Sequence, residues 1–281
     1  ETVVDLSTSL GSTDLAGIQR VVRSVVPRWA ERRHIVVVEW NEHAAGFCAV
    51  GDERLQALAY GDDPTEPLPP DPHEHEVDDP LLVVPWNCRY VVPELAVGSE
   101  ERMAAMRVLV TDGPLTSTGV VGYDLIPVTS SETVDSGFVG AFGAYLSVVK
   151  HTTRVAAISR SAAHEFRTFA HLLASQGLDG PDVVACPLPQ EAHPSSEASR
   201  ASLRSMLGAA DRPIVLVVGS HEPRKNHLAV LAAAEQLWSE GIEFQLAFFG
   251  GLSWGSADFE AEVERLRSTG ATISVHRRVT E

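Results

Sequence analysis

Cysteine is scarce in this chain. Only Cys48, Cys88 and Cys186 occur in 281 residues, an odd number, far apart, with no disulfide or metal-ligand spacing. A reduced, cytoplasmic setting is the default that follows. Basic charge is also short, with 22 Lys plus Arg against 38 Asp plus Glu and a formal net charge of −16. A surface that acidic repels phosphates, which argues against a nucleic-acid partner and against broad adhesion to anionic bilayers. Local basic patches are still allowed. No apolar run approaches the roughly 18–20 residues needed to span a bilayer. No signal-peptide pattern opens the chain. There is no Walker loop, no Gly-x-Ser-x-Gly elbow, and no strict Gly-x-Gly-x-x-Gly after the first strand-like run. The last absence weighs against a dinucleotide enzyme.

What is present is alternation. Strand-like β-branched runs and helix-like 3.6-period runs succeed one another, the pattern of an α/β protein with parallel sheets. Strands are predicted at Thr2–Leu6, His34–Glu39, Leu81–Pro85, Arg107–Thr111, Val155–Ser159 and Val183–Cys186. Helices are predicted at Ile18–Arg32, with Pro27 inside it, at Phe138–Lys150 and at Ala162–Ala174, the last capped by Ser159 or Ser161. Later come helix Ser199–Leu207, strand Ile214–Val218, helix Leu228–Trp238, strand Phe244–Phe249, helix Phe259–Ser268 and strand Thr272–Val275. Gly61–Pro80 reads as a long polar surface loop. Pro187–Ser199 reads as a linker. The expected organisation is therefore an N-terminal domain over 1–186, a linker over 187–199, and a second region over 200–281. That second region is only βαβαβ, a small sheet with a raw edge.

The richest local signal is Val215-Leu-Val-Val-Gly-Ser-His-Glu-Pro-Arg-Lys-Asn-His-Leu228. An apolar run ends in Gly219, a short basic loop follows, and a helix opens near Asn226. A helix N-terminus offers free N–H groups and partial positive charge. Arg224 and Lys225 would add two cations at the same place, a combination suited to a diphosphate. Taken alone, the same words also describe an ordinary βα turn with two solvated charges. Other candidates carry similar pairs of readings. Gly17 lies just before a helix, either as a plain loop glycine or as a close-approach point for a ligand. Arg20, Arg23, Arg28, Arg32 and Arg33 read as a solvated helix face, with a lipid-facing patch as the alternative. Tyr123 and Asp124 follow a strand end, and Asp124 reads equally as a turn carboxylate before Pro127. His73-Glu-His75 with Asp71, Asp78 and Asp79 has no rigid ligand spacing, so no metal is expected.

Several of these words, in order, resemble one family. Gly219-Ser-His-Glu-Pro-Arg-Lys-Asn-His227 is similar to the donor-phosphate loop of the GT-B glycosyltransferases of retaining family 4. Gly17-Ile-Gln-Arg-Val21 resembles that family's first Gly loop and helix. Tyr123-Asp-Leu-Ile-Pro-Val128 resembles its acceptor-side segment, and Ile158-Ser-Arg-Ser-Ala-Ala163 its late N-domain strand-to-helix step. The resemblance spans essentially the whole chain. It implies two Rossmann-like domains facing a cleft, the C-terminal one incomplete here. It implies a hexosyltransferase that moves a sugar from a nucleotide-diphosphate sugar to an acceptor hydroxyl, with retention and without a metal or other cofactor. The acceptor would be a carbohydrate, a lipid-linked molecule or a small molecule. Location would be cytoplasmic, with peripheral contact at the inner membrane face allowed.

By the same resemblance, Arg224 and Lys225 would hold the pyrophosphate. Gly17 would lie across the cleft, Gly251 would border the nucleotide, and Val279 would lie near the base. Tyr123 and Asp124 would sit by the transferred sugar. The family often has His where Tyr123 stands, and its paired-glutamate motif is absent from these 281 residues. A longer full protein is the simpler explanation, and a short one the competing explanation. A non-catalytic scaffold subunit and a nucleotide-sugar epimerase on the same fold stand as alternatives.

Overall fold

Most of the β-branched runs form strands, and the central strands of each sheet are buried, as parallel sheets require. The computed structural model describes residues 1–10, 17–51, 53–56, 81–188, 196–209 and 211–277. The strands are β1 (Thr2–Asp5), β2 (Ile35–Asn41), β3 (Gly46–Ala49), β4 (Arg89–Val92), β5 (Ser117–Gly122), β6 (Arg154–Ala157), β7 (Asp182–Ala185), β8 (Ile214–Val218), β9 (Gln245–Phe249) and β10 (Ile273–His276). The first seven make one sheet in the order β3-β2-β1-β4-β5-β6-β7, and the last three make another in the order β10-β9-β8. Every pairing is parallel except the β2–β3 hairpin. The chain divides into two compact units, Glu1–Thr129 with Ser136–Pro189, and Ser130–Asp135 with Gln190–Glu281.

In the first unit the helix Gly17–Ala30 carries the chain from β1 to β2 on one side, whereas β4 returns on the other side of β1. The order therefore reverses between β1 and β4. Ligands of open α/β sheets collect outside the carboxyl ends of the strands at such a point. Val22 and Val26 of that helix, one turn apart, pack on Val4 and Val37. The opposite face of the sheet buries Tyr90, Val120 and Val155 beneath Met103, Met106, Phe142, Tyr145 and Phe166. Gly122 ends β5 because a Cβ there would lie 2.5 Å from the Phe166 ring and 2.6 Å from Val155. In the second unit the helices His227–Ser239 and Ala257–Ser268 place Leu231, Phe259 and Val263 over Leu246 and Phe248. β8 lies at an edge, with Val215, Leu216 and Val218 exposed.

Two predicted strands are corrected. Arg107–Thr111 lies in the helix Glu100–Asp112. Its β-branched run is overridden by Ser99, whose side chain caps the helix at the Arg102 N–H, and by Glu100 and Glu101 in the first turn. Leu81–Pro85 is not a strand; it touches β3 through a single bridge between Leu82 and Cys48, and leaves Leu81, Leu82 and Val84 exposed. The true neighbour of β1 is Arg89–Val92, just downstream. The Ser159 cap is as expected, its side chain accepting the Ala162 N–H at 3.0 Å. The segment 61–80, with His73 and His75, and most of 187–199 lie outside the described residues.

Candidate functional site

The carboxyl edge of the small sheet is built by close approach of two loops. β8 is followed by Gly219 at φ +144°, a conformation that side-chain-bearing residues rarely adopt. β9 is followed by Gly250, and a Cβ there would lie 1.9 Å from the Gly219 carbonyl oxygen. His221 then donates its N–H to the Gly251 carbonyl at 2.9 Å, tying the two loops together. Gly251 thus lies at the base of the loop that carries Arg224 and Lys225. We predict that Gly250→Ala wedges this junction open and costs the unit about 1–3 kcal/mol or more, the usual penalty of overpacking. Thermal unfolding of the variant checks this. An unchanged melting temperature would show that the junction yields freely.

Pro223–Lys225 forms one turn of 3₁₀ helix, and Asn226 follows at φ 50°, ψ 42°. Asn is one of the few residues that takes this left-handed geometry. It turns the chain into the helix His227–Ser239, whose N-terminus has no side-chain cap. The two cations differ in their surroundings. Arg224 pairs with Glu222 at 2.7 Å, and Glu222 also accepts the Ser220 hydroxyl at 2.6 Å. Lys225 is exposed and makes no ion pair among the described residues. The loop therefore presents one unpaired ammonium, one guanidinium already held, and an uncapped helix terminus, an arrangement able to take an anion.

Two rings beneath this turn escaped the sequence reading. His221 is 2% exposed and His227 is 5% exposed. Their centroids are 5.4 Å apart; His221 lies 4.4 Å from the Phe259 ring, and His227 stacks on Phe248 at 5.4 Å. Neither ring has a hydrogen-bond partner at either nitrogen among the described residues. Burial pushes both imidazoles below the ordinary histidine range, helped by each ring's cationic neighbours.

In the first unit Tyr123 and Asp124 follow β5 directly. The Tyr123 hydroxyl donates to the Pro93 carbonyl at 2.7 Å, and burial, then the charge of Glu94, pushes its pKa upward. It is a neutral phenol at physiological pH, able to accept a hydrogen bond but not to act as a base. Asp124 accepts the Ile126 N–H at 3.1 Å, the turn role allowed by the sequence. Gly17 opens its helix with nothing within 4 Å of the place a Cβ would take, so no steric demand for glycine comes from its described neighbours. Val279 lies outside the described residues.

A buried polar cluster at the β1–β4 reversal was not foreseen. Asp5 and Glu94 are each 0% exposed and Arg102 is 2% exposed. Asp5 accepts the Ser7 N–H at 3.0 Å, the Tyr90 hydroxyl at 2.6 Å and the Arg102 guanidinium at 3.2 Å. Glu94 accepts the N–H groups of Thr8 and Ser9, each at 2.6 Å, and lies 3.5 Å from Arg102. Its carboxyl is held above the usual range by burial first and then by Asp5, against the opposing bonds from Ser9 and Thr8 and the charge of Arg102. Two carboxylates and one guanidinium thus fix the turn after β1.

No family model matches the chain. Two Escherichia coli proteins, each named serotype-specific mannosyltransferase WbdA, are 26% identical over 279 residues; the match covers 94% of this chain and 31% and 30% of theirs. A third protein of that name is 30% identical over 159 residues, covering 52% of this chain and 18% of its own length. The chain thus spans less than a third of the curated relatives it matches. A solved UDP-GlcNAc 2-epimerase from Neisseria meningitidis bound to UDP-GlcNAc superposes with a TM-score of 0.41 at 10% identity, over 99% of this chain and 72% of that one. That likeness is too distant to bear on activity. The chain is thus similar in sequence to proteins named as mannosyltransferases, and it folds as two α/β units whose strand pairings are parallel except for β2–β3. No helix among the described residues is long and apolar enough to cross a membrane.

Proposed function

We propose that the chain is part of a retaining, metal-independent glycosyltransferase that uses a nucleotide-diphosphate sugar, with mannose as the sugar. The observation that carries this reading is the loop after β8. Lys225 makes no ion pair among the described residues and lies beside Arg224, at the uncapped N-terminus of the helix His227–Ser239. When the sugar–phosphate bond breaks, negative charge gathers on the leaving diphosphate and oxocarbenium-like charge on the sugar. Cations and helix N–H groups fixed in advance stabilise the leaving group with little reorganisation. Two cations with a helix terminus supply the charge that a metal supplies elsewhere, which supports metal independence. The name of the similar proteins supports mannose. Gly251 and Val279 are assigned to the nucleotide side, Gly17 to the phosphates, and Tyr123 and Asp124 to the sugar. A cytoplasmic location, with peripheral contact to a membrane carrying a lipid-linked acceptor, fits this reading.

The test is transfer from a panel of nucleotide-diphosphate mannoses to a mannose-terminated acceptor by the full-length protein, followed by NMR of the new linkage. Retained anomeric configuration and undiminished rate in EDTA are expected. An inverted linkage or abolition by EDTA would remove those parts of the proposal. An epimerised free sugar nucleotide would favour the epimerase alternative, and binding without transfer the scaffold alternative.

The Arg224–Glu222 pair gives a second check. Glu222→Gln removes a carboxylate from the anion site and frees the guanidinium. Arg224 is exposed and Glu222 half-buried; surface pairs are worth up to about 1 kcal/mol, so inorganic pyrophosphate is expected to bind about two- to fivefold more tightly. Calorimetric titration reads this. Weaker binding would show that Glu222 aims Arg224 at the ligand instead of competing for it.

A further inference from the structure

We propose that His221 and His227 are positioning residues that form an acid-sensitive latch: as neutral rings they hold the 219–227 loop in the form that presents Arg224 and Lys225, and protonation releases the loop and its anion. The proposal deepens the diphosphate reading of this loop and rests on it.

The two imidazoles bracket the turn that carries the cations, one on the strand side and one as the first residue of the helix. Both are packed into a box with Phe248 and Phe259. All four ring nitrogens lack a partner among the described residues. A phenylalanine would fill either position without burying a donor and an acceptor, so packing alone does not account for histidine. What imidazole adds is a charge that can be switched. The charged and titratable groups facing His221 are His227, Arg277 and Glu260; those facing His227 are His221, Lys225 and Glu222. Burial is the larger influence at both rings and disfavours the imidazolium, and Arg277 and Lys225 act in the same sense.

The sign follows from linkage. A histidine held below its ordinary value in the closed loop stabilises that loop above the ordinary value, and the stabilisation is lost as pH falls below it. With an open-loop value of about 6.5, each ring at pH 5 favours the open form by up to about 30-fold, and the pair by up to about 1,000-fold.

The experiment is calorimetric binding of inorganic pyrophosphate to the wild-type chain and to the His221→Phe/His227→Phe double variant between pH 7.5 and 5. Pyrophosphate protonation affects both proteins alike, so the ratio of the two profiles isolates the latch. The wild type is expected to lose more affinity than the variant over that range, by up to about 1,000-fold if both rings take up a proton only in the open loop. Parallel profiles would overturn the latch. If the wild type does not bind pyrophosphate at pH 7.5, the diphosphate reading fails on its own. The latch is then read by NMR of the wild type: both ring C2 protons should titrate below the ordinary imidazole range, and the Arg224 and Lys225 amides should shift over the same interval. Ordinary titration, or loop amides that do not follow, would overturn it by that route, which also serves if the double variant does not fold.

Discussion

Lys225→Ala is expected to lower turnover by about two to three orders of magnitude while leaving the fold intact, the effect typical of removing one preorganised group that meets developing charge. Lys225 is exposed and makes no ion pair among the described residues, so its removal costs the second unit no buried charge contact. Its stem only passes the Gly219 Cα, where a methyl group would sit at an ordinary 3.7 Å. Stability and activity should therefore separate cleanly in this variant, unlike Gly250→Ala, which strains the junction itself. Arg224 should not substitute, because Glu222 already engages it at 2.7 Å. The measurement is initial-rate kinetics of sugar transfer alongside thermal unfolding. A loss in kcat exceeding any rise in KM would place Lys225 at the leaving diphosphate in the transition state. Wild-type-like turnover would end the phosphate assignment.

That the loop was legible in the sequence, and the buried cluster was not, has a physical reason. A strand–glycine–basic loop–helix step is local: a strand, a glycine, two cations and a helix start fall within a dozen consecutive residues, and each follows from short-range geometry. The same holds for the parallel α/β architecture, whose alternation is a short-period signal. The Asp5–Tyr90–Glu94–Arg102 cluster is assembled by the pairing of β1 with β4, and its hydrogen bonds join residues 85 and 97 apart. An acid ending an apolar run, Thr2-Val-Val-Asp5, was the one visible hint. β4 itself was missed because Leu81-Leu-Val-Val84 presents the stronger apolar pattern eight residues earlier, although Leu81, Leu82 and Val84 stay exposed. The helix Glu100–Asp112 was misread because its β-branched C-terminal half outweighed the Ser99 cap and acidic first turn that start it. The burial of His221 and His227 depends on Phe248 and Phe259 from later elements, and no local pattern announces it.

The largest expected effect on stability belongs to Arg102→Met. The methionine keeps an unbranched apolar stem in the same space but removes the cation lying 3.2 Å from Asp5 and 3.5 Å from Glu94. Breaking a buried ion pair from one side leaves uncompensated charge and costs about 3–5 kcal/mol. The pH dependence identifies the cause. Glu94 sits above its ordinary range in the folded chain, so the folded state binds its proton more readily than the unfolded state does. Its ionisation therefore weakens the fold at neutral and alkaline pH, and that penalty fades as pH falls through the folded value toward the unfolded one. Arg102 opposes this rise. Without it the carboxyl moves further up, and protonation relieves more of the repulsion with Asp5. The deficit of Arg102→Met relative to wild type should thus be greatest near pH 8 and shrink toward pH 5. Denaturant unfolding of both proteins at the two pH values measures it. An equal deficit at both would mean that lost packing, rather than the two carboxylates, sets the cost, and a deficit below about 1 kcal/mol would mean that the cluster does not hold the turn after β1.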